Sequence, residues 1–302
     1  MSAPRLQLGV TLPQFTSGSE AVVDAIRRAE AAGLDSAWVF DHLWPLSGGK
    51  ERPVLEAWTT LAYLAQKTER IRIGTLVTRS TLRNARLLAH MAATVGALAP
   101  GRLVVALGSG DARSRAENAA FGFPYERGDR RHAQLAATVA VLLEGVREAA
   151  APQPEVWLGG RSRALLELAG GVADGWNGWG GDVARLASDV ATVRAAAGTR
   201  AVELSWAGIV VLGRDDAEAA TLPGPRGGDD HISGGPERVA VALAERAETG
   251  VSHLIVTFPD AARRPVYELL AGEVRSLLER GRPPAPAQAD QARHGRDIKA
   301  EP

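Results

Sequence analysis

Residues 38–44 read WVFDHLW: an apolar, strand-like run, Trp38 to Phe40, that stops abruptly in Asp41 and His42 with a tryptophan on either side. A fold needs no such ending, whereas a reaction can use one. The run follows a helix-like segment (19–32, Ser19 at its start, Gly33 at its stop) and precedes another (55–67). Read outward, the same unit recurs. Short Val-, Ile- or Leu-rich strands at 6–12, 36–41, 70–77, 102–108, 155–158, 173–178, 203–212 and 251–257 alternate with segments whose apolar residues repeat at helical spacing, at 19–32, 55–67, 82–97, 129–146, 162–170, 182–196, 236–248 and 265–280. Strands joined by helical crossovers make a parallel sheet. Eight such units in about 280 residues match a (β/α)8 TIM barrel. The rival is a doubly wound open sheet, and eight repeats without a break in composition favour closure. One domain over 1–281 is expected. The polar tail 282–302 is expected to be disordered, and the Gly-, Pro- and Asp-rich stretch 213–235 to be a mobile or disordered loop.

Composition narrows the function classes. The 302 residues are 45% hydrophobic and 23% charged, with 35 basic and 35 acidic side chains. Zero net charge argues against a nucleic-acid footprint or a membrane-surface binder. The absence of cysteine excludes disulfides, zinc fingers, thiolate-held Fe–S clusters and a cysteine nucleophile. No signal-peptide layout opens the chain and no apolar run approaches the roughly 18 residues of a membrane span, so a cytoplasmic protein acting on a small molecule is expected. The phosphate loop, the nucleophile elbow and H-E-x-x-H are all missing. GSGDAR carries Arg113 where the third dinucleotide-fingerprint glycine belongs. The DDH at 229–231 is a poor metal candidate, and no metal is expected.

Barrel enzymes place their chemistry at the C-terminal strand ends. Here those ends carry Pro13, Gln14 and Phe15; Asp41 and His42; Thr75 to Thr78; Gly108 to Ser114 (GSGDARS); Gly159 to Arg163 (GGRSR); and GWNGWGG. His42 can exchange a proton near neutral pH. Asp111 either faces His42 across the mouth or caps a turn. Trp44, Trp176 and Trp179 either wall an apolar pocket or simply pack. GGRSR is either a tight turn or an anion site, in which glycines admit the ligand, helix-start amides bind it and Arg161 or Arg163 adds charge.

The stretches AEAAGLDSAWVFDHLW, ERIRIGTLVT, LAPGRLVVALGSGDARSRAENAAFG, GGRSRALLELAGGVADGWN and ISGGPERV…GVSHLIV together resemble the bacterial luciferase-like flavin and deazaflavin oxidoreductases over about residues 5–280. Asp-His-Leu-Trp looks most like the branch that uses coenzyme F420. The resemblance implies a homodimeric (β/α)8 barrel with the tricyclic ring in its mouth. It implies Asp41 as a contact of the ring or its side chain, and His42 as proton donor or stabiliser of the reduced ring, with Trp44 beside it. It also implies a non-proline cis peptide near Thr75–Leu76, with Thr78 close by. Ser109, Gly110 and Ser114 would bind cofactor, Asp111 would be an acid/base, and Gly159, Gly160, Ser162 and Arg163 would form the phosphate turn. Arg79, Arg83 and Arg86 would offer a basic groove for the polyglutamate tail. Three departures separate the chain from the sugar-phosphate dehydrogenases: Asp111, one methylene shorter than their proton-transferring Glu; Trp44 two residues after His42, where theirs stands four after; and a short region between strand 7 and helix 7, which carries their substrate-phosphate ligands and makes glucose 6-phosphate a poor substrate here. The implied activity is hydride transfer between C5 of the deazaflavin and a small organic substrate. The alternatives are an FMN-dependent monooxygenase on the same barrel and a non-catalytic cofactor-binding member.

Overall fold

In the computed structural model, which describes residues 5–45, 50–112, 114–148, 152–225, 230–259, 261 and 264–281, the strands follow the alternation of the sequence. They are β1 Gln7–Thr11, β2 Ser36–Val39, β3 Arg72–Arg79, β4 Leu103–Gly108, β5 Glu155–Gly159, β6 Gly175–Trp179, β7 Glu203–Leu212, β8 His231–Gly234 and β9 His253–Thr257. All pair in parallel, in the order β6-β5-β4-β3-β2-β1-β9-β7-β8, and a further β6–β7 pairing closes the ring. Eight strands therefore form the barrel, as the eight-unit reading requires. The ninth, β8, pairs only with the outer half of β7 (Ile209 opposite His231) and stands outside it. The helices on the outer face include α1 Glu20–Ala31, α2 Ala57–Ala65, α3 Ala85–Leu98, α4 Ser114–Ala120, α5 Gly128–Arg147, α6 Arg163–Val172, α7 Val183–Ala197, α8 Asp216–Thr221 and α9 Pro236–Glu248.

Side-chain oxygens start several of these helices. Glu56, Asn84, Ser162, Asp182 and Asp215 each accept from the amides of the first turn, which satisfies donors that have no intrahelical partner. Pro236 opens α9, where its missing N–H costs nothing.

Alternation along each strand sends one set of side chains outward into the main core, such as Val10, Val39, Ile73 and Val105, and the other set into the barrel. The inner set is Trp38, Phe40, Leu76, Val104, Ala106, Trp157, Ala207 and Ile255. Trp38 and Trp157 meet at 5.3 Å between ring centroids and are fully buried. Glycines opposite make their room. A Cβ at Gly74 would lie 2.6 Å from the Trp38 ring, and one at Gly175 would lie 2.5 Å from Trp157. Large rings thus occupy the space that side chains at these glycines would fill.

Below the tryptophans the strand starts form a polar floor. Arg72 donates to Gln7, Glu203 and Glu155. His253, fully buried, joins Glu203 at Nδ1 (2.9 Å) and Ser36 Oγ at Nε2 (2.7 Å). Trp38 Nε1 donates to the same Ser36 oxygen at 2.7 Å. Burial lowers the pKa of His253 despite the pull of Glu203. Burial alone would raise that of Glu203, but the His253 hydrogen bond and the charge of Arg72 bring it below the usual carboxylate range.

Two expectations change. The stretch 213–235 is not a structureless loop: it holds α8 and β8, capped by Asp215 and tied by Gly235 N to Asp216 Oδ1 at 2.7 Å. Its polar residues are cap and turn formers, which is why it reads as loop. The segment after β4, read as a longer loop, contains α4, too short to show a helical repeat. Residues 226–229 and the 282–302 tail lie outside the described residues. Among the described residues no helix is long and apolar enough to cross a membrane.

Candidate active site

At the C-terminal strand ends, β2 runs out through Phe40 into Asp41 and His42. Gln14 holds this turn: its Nε2 donates to Phe40 O (2.7 Å) and its Oε1 accepts from Phe40 N (2.5 Å). Asp41 and His42 then diverge. The buried Asp41 carboxylate takes Arg83 in a two-bond fork (Nη1 to Oδ2 2.7 Å, Nη2 to Oδ1 2.9 Å) and accepts from Arg79 N at 2.9 Å. Arg83 also pairs with Glu56. Asp41, expected as a cofactor contact, spends its carboxylate on three protein donors in a clamp joining β2, β3 and the start of α2.

His42 turns the other way, to Glu117. Its Nδ1 lies 3.0 Å from Glu117 Oε2. Glu117 sits on α4, buried, and its other oxygen accepts from Leu43 N and from Trp44 N (3.1 Å) and pairs with Arg79 Nη2 at 3.0 Å. Burial alone would raise the Glu117 pKa. Hydrogen bonding from His42 and Leu43 and the charge of Arg79 outweigh it, so the carboxyl titrates below its usual value. Arg79 also reaches Asp41 O through Nε (2.9 Å) and Asn118 Oδ1 through Nη1 (3.0 Å). Arg79 and Arg83 are therefore spent inside the protein and do not form the expected basic groove.

The carboxylate that meets His42 is Glu117, not Asp111. Asp111 is exposed and caps α4: Oδ1 accepts from Ser114 N and from Ser114 Oγ, each at 3.0 Å. Of the two readings of Asp111, the structure shows the cap. Ser114, expected among the cofactor ligands, is buried in that cap. Ser109 stays at the rim, its hydroxyl 3.5 Å from Gly110 O. Glu117 was missed because a glutamate in SRAENAAFG looks like any helix-surface acid. The one available signal was its pairing with Asn118 in an alanine-rich run beside a strand end.

The floor of the mouth is β3. The Leu76–Val77 peptide is cis, one residue beyond the expected place, and the β3–β4 register shifts between Thr75 and Thr78. Val77 lies against Gly108 and Gly159, where a Cβ on either would come within 2.5 Å of it. Gly159 therefore makes room for Val77. Thr75 and Thr78 are buried and point away from the mouth: Thr78 Oγ1 donates to Thr75 Oγ1 (2.8 Å) and accepts from Trp58 Nε1 of α2 (3.2 Å). Their hydroxyls, expected near the cofactor, are engaged by protein partners. Leu76 faces in, with Phe40 and Phe15.

Aromatic rings wall this opening. Phe15 stacks on Phe40 at 6.1 Å, and Phe40 meets Trp179 edge-on at 5.7 Å. Trp44 tilts against Phe121 at 6.1 Å with Lys50 over its ring. Trp179 is 41% exposed, whereas Trp176 is wholly buried in the outer core with Nε1 on Gly160 O. Trp176 packs; Trp179 and Trp44 reach the rim.

At the β5–α6 turn, Ser162 caps α6 and its hydroxyl lies 2.9 Å from His132 Nε2. Arg161 is held by Asp189 (2.5 Å), Trp179 O (3.1 Å) and Gly180 O. Arg163 is 86% exposed and pairs with Glu167 on its own helix. The turn keeps Gly160, Ser162 and His132 but neither arginine as an anion contact. Close by in sequence, Arg131 Nε is buried without a partner. A helix start, a hydroxyl and an imidazole form a donor set suited to phosphate. With the aromatic lining of Phe15, Phe40 and Trp179, these residues fit a flat cofactor bearing a phosphorylated chain.

A family model described as luciferase-like monooxygenase matches residues 6–297. The chain belongs to the luciferase-like family. Among curated relatives, the F420-dependent glucose-6-phosphate dehydrogenase of Beutenbergia cavernae is 38% identical over 117 residues, 38% of this chain and 33% of that one. The chain thus matches only about a third of that relative's length. Among solved structures, an F420-dependent secondary alcohol dehydrogenase with an F420–acetone adduct superposes with TM-score 0.75 at 16% identity, covering 91% of this chain and 99% of that one. An EDTA monooxygenase from Chelativorans gives TM-score 0.72 at 15% identity, covering 92% of each chain. At such identities the structural matches establish the (β/α)8 luciferase-like fold, on which both kinds of enzyme occur.

Proposed function

We propose that this luciferase-like protein is a coenzyme F420-dependent oxidoreductase acting on a small, uncharged organic substrate. The observation that carries the reading is His42. It is held at Nδ1 by a buried carboxylate, while no described residue bonds Nε2, and it stands at the rim of an aromatic-walled mouth. The names of curated relatives support the deazaflavin over FMN.

When bound, the deazaflavin supplies hydride chemistry at C5. The protein's residues do the rest. Leu76 and Val77 provide a floor, and Phe15, Phe40 and Trp179 exclude water. Gly160, Ser162 and His132 would hold the phosphate. His42 Nε2 accepts the proton of a substrate hydroxyl, or returns it to a carbonyl oxygen in the reverse direction. Arg79, Arg83 and Arg161, the buried or half-buried arginines around the opening, are each paired within the protein. That pairing disfavours a sugar phosphate.

The test is a fluorescence titration of the purified protein with oxidised F420 and, separately, with FMN. Tight binding of F420 with weak FMN binding is expected. Preference for FMN would replace this reading by an oxygen-dependent monooxygenase, and binding without turnover on alcohols and carbonyls by a non-catalytic member.

A further inference from the structure

We infer that Glu117 is the positioning residue that sets the tautomer and aim of His42. A carboxylate accepts hydrogen bonds and cannot donate them when ionised. Glu117 Oε2 therefore requires a proton on Nδ1. In the neutral ring the lone pair is then confined to Nε2. The neutral imidazole is thus a proton acceptor at the mouth, and the charged ring a donor at the same nitrogen.

Three features make Glu117 suited to this work. Its side chain is only 4% exposed, so water does not compete for Nδ1. Hydrogen bonds from His42 and Leu43, with the charge of Arg79, 3% exposed and 3.0 Å away, keep it anionic. Its second oxygen binds the amides of Leu43 and Trp44, so one carboxylate fixes both the imidazole and the backbone carrying the neighbouring tryptophan. Arg79 is itself set by Asn118, whose Nδ2 donates to Thr81 Oγ1 (3.1 Å) and Pro124 O (2.7 Å). The α4 segment thus presents Glu117 from a braced position. The other acids near this turn are occupied elsewhere: Asp41 on Arg83, and Asp111 on Ser114.

The catalytic consequence rests on the function proposed above, but the tautomer does not, and the experiment separates them. The full chain is labelled with 15N-histidine and long-range proton–nitrogen spectra are recorded without cofactor. His42 is identified among the six histidines by the signal lost in His42→Gln. Recorded at a pH high enough that the ring is neutral, the expected wild-type result is the form with its proton on Nδ1, favoured about tenfold or more, as a hydrogen bond to a charged group warrants. In Glu117→Gln, whose amide can donate to Nδ1, the proton moves to Nε2 in a large fraction of molecules. Glu203→Gln, which alters the equally buried imidazole–carboxylate pair of the floor, should leave the His42 tautomer unchanged. A proton on Nε2 in the wild type overturns the inference and needs no variant to fold. So does an unaltered Nδ1–H form in folded Glu117→Gln, or an equal change in Glu203→Gln. A chain that binds neither F420 nor FMN would defeat the proposed function while leaving these outcomes readable.

Discussion

The barrel carries an imidazole–carboxylate pair at each end, His253–Glu203 at the floor and His42–Glu117 at the mouth, with near-equal separations of 2.9 and 3.0 Å. They differ in what the second ring nitrogen meets. His253 Nε2 is closed by Ser36, which also takes Trp38, and the ring is wholly buried. His42 Nε2 meets no described residue and its side chain is 22% exposed. The floor is a completed network, in which every polar group has a partner and nothing is left to react. The mouth is the same pair left one bond short. The two pairs share a local chemistry and differ in one unfilled hydrogen-bond position, the one that the proposed function uses.

The contrast can be broken at either end. Glu203→Ala leaves the buried His253 Nδ1 without its acceptor and Arg72 with Glu155 alone, and an unsatisfied buried donor costs about 1–3 kcal/mol. Chemical denaturation should show that loss, with cofactor titration unchanged in protein that remains folded. A stability change under about 1 kcal/mol would mean that the floor is wet and the contrast false.

At the other end, His42→Ala should reduce turnover about 100-fold or more, the usual worth of a positioned acid–base group, while shifting the melting temperature little. If turnover survives and stability falls, His42 belongs with His253 as a structural residue.

The interior between the two ends is tested by Gly74→Ala. Its new Cβ would lie 2.6 Å from both the Trp38 ring and Val104 O. A cost of about 1–3 kcal/mol is expected for such overpacking, read as a lower denaturation midpoint.

Acid should separate the pairs as well. The pKa of His253 is lowered in the folded protein, so below its ordinary value of 6.5 the unfolded chain takes up the proton first. The stability from the neutral floor histidine is full above that pH and is lost as pH falls below it. Glu203 and Glu117, both lowered from 4.5, add their losses only below that lower value. Melting temperatures between pH 7.5 and 5.5 should therefore decline by about a few degrees, and the slope should flatten in His253→Gln if that variant folds. An undiminished slope would assign the effect elsewhere.

The smallest effect is expected at Asp111. Asparagine caps helices about as well as aspartate, so Asp111→Asn should leave both stability and turnover within about twofold of wild type. A loss near that of His42→Ala would restore Asp111 to the reaction.

Much of this was legible in the chain. Strand–helix alternation specifies an eight-unit barrel, because hydrophobic periodicity is local and survives without a partner, and glycines and polar residues collect at one set of strand ends, where the proposed site lies. His42 was found the same way, as an imidazole that interrupts an apolar strand. The sequence could not say where side chains turn. Asp41 and His42 are adjacent, yet one points to Arg83 and the other to Glu117. Thr75 and Thr78 sit at a strand end, but Thr75 bonds Ala106 O and Thr78 meets Trp58. Gly159, in a glycine pair that reads as a ligand turn, makes room for Val77.

Local pattern determined the elements, their order and the neighbourhood of the site. Only the tertiary structure decided the partners, because His42, Arg79 and Glu117 lie 37 to 75 residues apart and meet through the side-by-side pairing of β2, β3 and β4. Whether a carboxylate caps, clamps or aims a base depends on the donors that this pairing brings within about 3 Å of it.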